Sequence, residues 1–359
     1  MNFNKMSKRE RVEAAMNLQE TDRTPVFDLL YNDDCIRYFT GEEAVVGEEG
    51  IKTKCKATAK MLDMTRGAQC GPMKEGYITD EDGFVHSYER WCYLGIHKRP
   101  FEDEDGATEW LKKSIETLRY KSKNDNYDAI AGYLKEDFIK IQNYIGDDTV
   151  VLLNQSGTGL DDIRHKLGLE IFSYLAIDEP ELISEYINIH TEREIKIIHS
   201  YADKKLSPCA LTYGDIAMKN TLMHSPEWLR KEFFPNIRKL NSAYHEHDIK
   251  CLFHSDGNLM EIMDDLIDTG IDGLNPIETL AGMKVETVFN LYGDKIFITG
   301  GIDMSQLLAN GTPEEVTKVC EDAIRSAPRG YFIGSTTEID NSARLENVLA
   351  MLRVAGVMK

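Results

Sequence analysis

Residues 251–258 read CLFHSDGN, an apolar run that passes directly into His254, Ser255, Asp256 and Gly257. In an extended strand alternate side chains share a face, so His254 and Asp256 are expected to project together from the strand's end. An imidazole and a carboxylate so placed suit a metal or a proton relay; the same pair equally makes a satisfied polar strand end. Other β-like runs end in polar residues in the same way. Tyr31 and Asn32 follow RTPVFDLL, Asn154 to Gly157 follow TVVLL, Tyr213 to Asp215 lie in CALTYGD, Asn275 to Glu278 follow GIDGL, and Ser335 to Glu338 end GYFIGSTTE. Asp215 and Glu278 are candidate acids or bases, because a carboxyl packed beside aromatic walls has a raised pKa and can donate a proton. Tyr31, Asn154 and Tyr213 are candidate substrate contacts, set against the ordinary reading of strand aromatics as core.

These runs alternate with amphipathic segments such as SPEWLRKEFFPNIRKLNSAYHEHD and TPEEVTKVCEDAIRSA, each with Pro early in the helix. Strand and helix in alternation imply a parallel sheet with crossover helices. With RTPVFDLL and a weak strand at DMTRG the strands number about eight, which predicts an α/β fold closed as a (β/α)8 TIM barrel over a single domain, residues 1–359. Barrel enzymes carry their active sites at the C-terminal strand ends, where the polar residues cluster. Residues 75–110 break the alternation with aromatic-rich extended runs around DEDG, which predicts a hairpin inserted in the N-terminal third, serving as a lid or a partner surface. The segment KSKNDNYD at 121–128 reads as a solvated connector. Gly300 and Gly301 permit either a tight turn or close backbone approach by a ligand.

Composition narrows the function classes. The 359 residues are 42% hydrophobic, enough for a sizeable core, and their formal charge of −19 arises from 61 acidic against 42 basic residues. Such a balance opposes nucleic acid or an anionic membrane surface as partner. The N-terminus is charged where a signal peptide needs an apolar core, and no run approaches about 20 apolar residues, so a cytoplasmic location is expected. The seven cysteines are odd in number and contain no C-x-x-C, and are read mostly as buried thiols. His245 and His247 in AYHEHD suit a helix C-terminus better than a ligand set. Neither a Walker loop, nor G-x-G-x-x-G after a strand, nor G-x-S-x-G is present, which argues against nucleotide and serine-hydrolase chemistry.

Together SKRERVEAAMNLQETDRTPVF, HSDGN, LIDTGIDGLNPIETLAGM, YGDKIFITGGID and ENVLAM resemble the uroporphyrinogen decarboxylase-like superfamily, most closely its corrinoid-linked (cobalamin-dependent) methyltransferases. True decarboxylases carry an arginine-rich RQAGRY segment after the first strand; here the place reads FDLLYNDDCIRY, too acidic for an octa-anionic porphyrinogen. In relatives that methylate thiols, zinc is held by His-x-Cys and a second Cys. The resemblance therefore implies zinc at His254, but Asp256 and Ser335 stand where the thiolates would be. Glu338, three residues beyond Ser335, is the expected replacement ligand beside His254 and Asp256, with Asp256 alternatively orienting His254. Carboxylates in place of thiolates make a harder metal suited to an oxygen donor.

The resemblance thus implies transfer of a methyl group from a small methoxylated donor to a corrinoid held by a separate protein, the first step of an O-demethylase. Decarboxylation of a small acid, thiol methylation from methyl-corrinoid and a non-catalytic binding role are the alternatives. The sequence leaves the oligomeric state open, a homodimer included.

Overall fold

The computed structural model describes residues 5–359. Six parallel strands form one sheet in the order Tyr331–Ser335, Phe297–Ile302, Gly273–Ile277, Lys250–His254, Cys209–Tyr213, Gln155–Gly157. Three shorter ones, Phe27–Asp28, Met64–Thr65 and Val150–Val151, pair in parallel in that order. Val150–Val151 is followed after a three-residue break by Gln155–Gly157 of the larger sheet, and Val26 bridges Ile333 in parallel. The fold is α/β with a parallel sheet and crossover helices, consistent with the expected barrel. A further parallel pair, Leu30–Tyr31 with Ile339–Asp340, was not foreseen.

Strand alternation sorts the core. Phe27, Met64, Val150, Leu152, Cys209, Leu211, Leu252, Phe297 and Phe332 meet in one buried cluster, joined by Val12, Ala15 and Met16 of the first helix, Lys8–Met16. The opposite faces, such as Val151, Ala210, Cys251 and Phe253, pack with the helices in a larger cluster. Helix starts follow their capping chemistry. Ser7 and Thr312 form capping boxes with Glu10 and Glu315, and Ser225 caps a helix that opens on Pro226.

Two expectations change. The segment 121–128 is no connector: helix Glu104–Asn124 runs to Asn124, and Asn126 already caps helix Tyr127–Ile145 through the Ala129 N–H. The predicted hairpin pairs Gly76–Thr79 with Val85–Tyr88, its turn tied by Asp80 Oδ1 accepting from the Phe84 N–H at 2.9 Å. Tyr93–Lys98 adds a third antiparallel strand, and helix begins at Glu104, so the extended part ends earlier than predicted. Five of the seven cysteines are buried, as expected, and Cys70 and Cys92 are exposed. Gly300 and Gly301 both have φ near +90° (+93° and +92°), a backbone requirement that explains the pair.

Candidate functional site

His254 ends its strand facing the mouth formed by the C-terminal strand ends. Its Nδ1 lies 2.8 Å from Asn275 Oδ1, and Asn275 is itself oriented by donating Nδ2–H to Thr299 Oγ1 at 2.7 Å. Because the amide oxygen only accepts, Nδ1 carries the proton and the Nε2 lone pair is free. Nε2 faces Asp215 Oδ1 at 3.8 Å. Burial, reinforced by the neighbouring Arg66 cation, lowers the His254 pKa to about 4 against the opposing pull of Asp215.

The loops behind these groups are tied together. Asp161 accepts the Asp215 N–H at 3.1 Å, Ser255 Oγ accepts the Ile216 N–H at 3.1 Å, and Asp215 Oδ1 is 3.4 Å from the Asp256 nitrogen. Asp256 Oδ1 is buried without a hydrogen-bond partner. Burial pushes the Asp256 carboxyl up to about 7, and the charges of Asp215 and Glu278 add to the rise. Gly257 continues the chain at φ +91°, where a Cβ would lie 2.6 Å from the Ala217 carbonyl carbon; its N–H donates to Glu278 Oε2 at 2.6 Å.

One donor atom each from Asp215, His254 and Asp256 lies within 4.8 Å of the others. A free imidazole lone pair, an unpartnered carboxylate oxygen and a second carboxylate fit a divalent metal such as zinc, which takes His nitrogen and carboxylate oxygen. This grouping differs from the expected His254, Asp256 and Glu338, because Asp215 joins the first two and Glu338 does not. Ser335, at the position of a relative's thiolate, is engaged elsewhere. Its N–H and Oγ–H donate to Asp28 at 2.7 and 2.8 Å, and burial raises that carboxyl to about 7.

The remaining candidates fall around the mouth. Glu338 and Tyr31 line a cavity of about 350 Å³ with Arg90, Trp91 and Cys92. Burial raises the Glu338 pKa, with Arg66 opposing. Tyr31 stacks on Trp91 at 5.9 Å and has beneath it the buried Lys54, whose Nζ is 4.9 Å from the ring centre and whose pKa burial lowers to about 8. Tyr213 and Asp215 line a larger cavity of about 680 Å³ with Asp161, Arg164, His165 and Tyr93.

Asn154 is not with them. The strand breaks between Val151 and Gln155, and the break reverses the alternation. Ser156 then points outward to the Tyr244 hydroxyl, 2.8 Å away, with Asn154 beside it, while Gln155 enters the mouth. Asn154 lines a cavity of about 170 Å³ with Arg66, Gln155, Leu134, Phe138 and Ile141.

Sequence reasoning missed Arg66, Gln155, Asn275 as partner of His254, and Asp161. Arg66 follows Met64–Thr65; its Nη1 donates to Gln155 Oε1 at 3.2 Å and its Nη2 lies 3.5 Å from His254 Nδ1. The charged residue before the glycine of DMTRG is the available signal. The three-stranded antiparallel sheet borders the mouth. Tyr93 Oη is 2.6 Å from His165 Nε2, Arg99 Nε donates to the Lys166 carbonyl at 2.8 Å, and Arg90 pairs with Asp33 at 2.8 Å.

A search of curated proteins finds no match to this sequence. Among solved structures, a methyltransferase from Methanosarcina mazei superposes with a TM-score of 0.69 over 98% of this chain and 98% of that chain, at 16% identity, a likeness of fold. The sequence model of uroporphyrinogen decarboxylase (URO-D) matches residues 166–356, more than half of the 359. That span holds Asp215, His254, Asp256 and Glu278, so the residues that converge on the mouth lie in the matched part, and the chain belongs to the uroporphyrinogen decarboxylase family.

Proposed function

We propose that this chain is a closed (β/α)8-barrel methyltransferase that moves a methyl group from a small methoxylated donor to the cobalt of a corrinoid carried by a separate protein. The single observation that carries the reading is the convergence of Asp215, His254 and Asp256 without a thiolate. Zinc held there would polarise the ether oxygen as a Lewis acid. The chain's own contributions are positional and electrostatic. Asn275 holds His254 in the tautomer that presents Nε2, and Asp161 holds Asp215 by its backbone. Glu278, fixed by the Gly257 N–H, is assigned the acid–base role at the departing oxygen. Tyr31 and Tyr213 wall the two cavities that flank the site, and the antiparallel sheet, read as an insertion, covers its rim.

The test combines metal analysis with spectroscopy. Purified protein should contain about one zinc per chain, in keeping with a single three-ligand site, and should form methyl-cobalt from a reduced corrinoid protein and methoxylated phenols. Thiol methylation without ether cleavage across a broad donor panel would overturn the choice of donor. Decarboxylation of a small acid is the second reading, favoured by the half-buried Arg66 cation beside His254; a metal-free protein that decarboxylates would establish it.

A further inference from the structure

A second set of metal-type donors meets on the antiparallel sheet, apart from the Asp215, His254 and Asp256 group. His86 Nδ1 lies 3.0 Å and His165 Nε2 2.6 Å from one oxygen, Tyr93 Oη. The three side chains come from strand Val85–Tyr88, strand Tyr93–Lys98 and helix Leu160–Leu167. Register explains how Tyr93 reaches the other two. Ser87 pairs with Gly95 but Tyr88 pairs with Tyr93, so Leu94 is an extra residue in its strand. That bulge reverses the alternation and turns Tyr93 to the face of His86, in the way bulges re-aim side chains beside sites.

A carboxylate stands behind the first imidazole. Asp80 Oδ2 accepts from His86 Nε2 at 2.7 Å, and Asp80 Oδ1 is itself fixed by the Asp82 and Phe84 N–H groups at 3.0 and 2.9 Å. Because an ionised carboxylate only accepts, the His86 proton sits on Nε2 and its Nδ1 lone pair is aimed at Tyr93. Carboxylate, imidazole and metal in a row is the arrangement that orients ligating histidines. Tyr93 has one proton to give to His86, so His165 Nε2 is the donor to Tyr93 Oη. Both contacts join neutral groups, and an ion that enters displaces two hydrogen bonds and no salt bridge. Tyr93 and His165 also line the cavity of about 680 Å³ that Asp215 borders.

We infer that His86, Tyr93 and His165 form a second metal site, for a transition-metal cation that takes imidazole nitrogen and phenolate oxygen. On binding, Tyr93 releases its hydroxyl proton to solvent and coordinates as phenolate, His86 coordinates through Nδ1, and His165 moves its ring proton from Nε2 to Nδ1. One proton leaves for each ion bound. Three protein ligands keep at least one position for water or a ligand from the cavity. Neither methyl transfer nor the occupant of the His254 site enters this assignment.

Cu(II) is the probe, because it binds such a donor set most tightly among the divalent ions and makes a phenolate ligand visible as a phenolate-to-metal charge-transfer band. Zinc-loaded protein titrated with Cu(II) should develop that band and release about one proton per ion in weakly buffered solution. His254→Ala should keep the band. Tyr93→Phe should lose it and bind Cu(II) at least about 10-fold more weakly, the lower end of what an outer partner alone is worth. Asp80→Asn leaves all three donors in place, and should weaken Cu(II) by about 10- to 100-fold with the band retained at saturation. Absence of the band from the unaltered protein at saturation, a result that needs no variant, would overturn the inference and leave Asp80, His86, Tyr93 and His165 as a hydrogen-bonded chain that ties the sheet to the barrel helix. A band that persists in Tyr93→Phe, or one that is lost in His254→Ala, would overturn it as well.

Discussion

The two ends of the strand array hold similar side chains put to opposite use. At the N-terminal ends, Asp63 is fully buried and accepts from Arg11, from both Nη atoms of Arg23 and from the Val26 N–H, at 2.7 to 2.9 Å. Asp272, also at a strand start, takes His245, Lys250 and the Cys251 N–H at 2.8 to 3.2 Å. At the C-terminal ends, Asp256 Oδ1 and Arg66 Nε have no partner, and His254 and Asp215 stand 3.8 Å apart. Both ends contain a His/Asp group compact enough for a metal, His245–Cys251–Asp272 below and Asp215–His254–Asp256 above. Only the lower one has its ligand atoms already spent on protein partners. Saturated charge holds a fold together, and unsaturated charge is poised for a ligand.

The largest effect expected from this contrast is on stability. Arg11→Ala would leave Asp63 and Asp22 short of a cation in a buried setting, Arg11 being 3% exposed. Loss of one partner from such a pair costs about 3–5 kcal/mol, a large part of a domain's net stability. Asp256→Asn, which removes an unpaired buried charge, should be neutral or stabilising in metal-free protein. Urea unfolding of the two variants checks the pair, and comparable destabilisation of both would erase the distinction.

Next comes the metal. His254→Ala should lower zinc affinity by more than the roughly 100-fold upper range of outer-partner effects, whereas His245→Ala should leave zinc content unchanged. Retention of stoichiometric zinc in His254→Ala would remove the assignment. Asn275→Ala keeps all three donors but frees the tautomer, and should weaken zinc by about 10- to 100-fold in competition with a chromophoric chelator. An unaltered affinity would mean that Asn275 serves packing alone.

The same contrast explains what the sequence could convey. Apolar runs ending in polar residues located the strands, and the two-residue period brought His254 and Asp256 to one mouth. A break after Val151 reverses that period and turns Asn154 to the side of Ser156 and Tyr244, and nothing in VVLLNQSG marks the break. Spacing along one strand end is visible in the sequence and points to Glu338, while distance across the mouth, which brings Asp215 to His254, depends on how loops fold back, here through Asp161 and Ser255. Arg66 sits after a two-residue strand, too short for periodicity to show its direction.

The smallest predicted effect sharpens the description of the lower cluster. Burial alone would raise the Asp272 pKa, but His245, the Cys251 N–H and Lys250 together hold the carboxyl below its ordinary value. A depressed folded-state pKa contributes stability above the unfolded value of about 3.9 and loses it as pH falls through the folded value. Asp272→Asn keeps an oxygen that can accept the Cys251 N–H, so the substitution removes mainly the charge. At pH 6–7 it should cost about 1 kcal/mol, since the Asp272 side chain is 21% exposed and part of the attraction is screened. Below about pH 4 the difference from the unaltered protein should shrink toward zero as Asp272 itself takes up a proton. Thermal unfolding of both proteins across that range reads the difference directly. A gap that stays constant down to about pH 3, well below the unfolded value, would show that Asp272 acts through hydrogen-bond geometry alone. Its charge would then play no part in the contrast between the saturated floor and the open mouth.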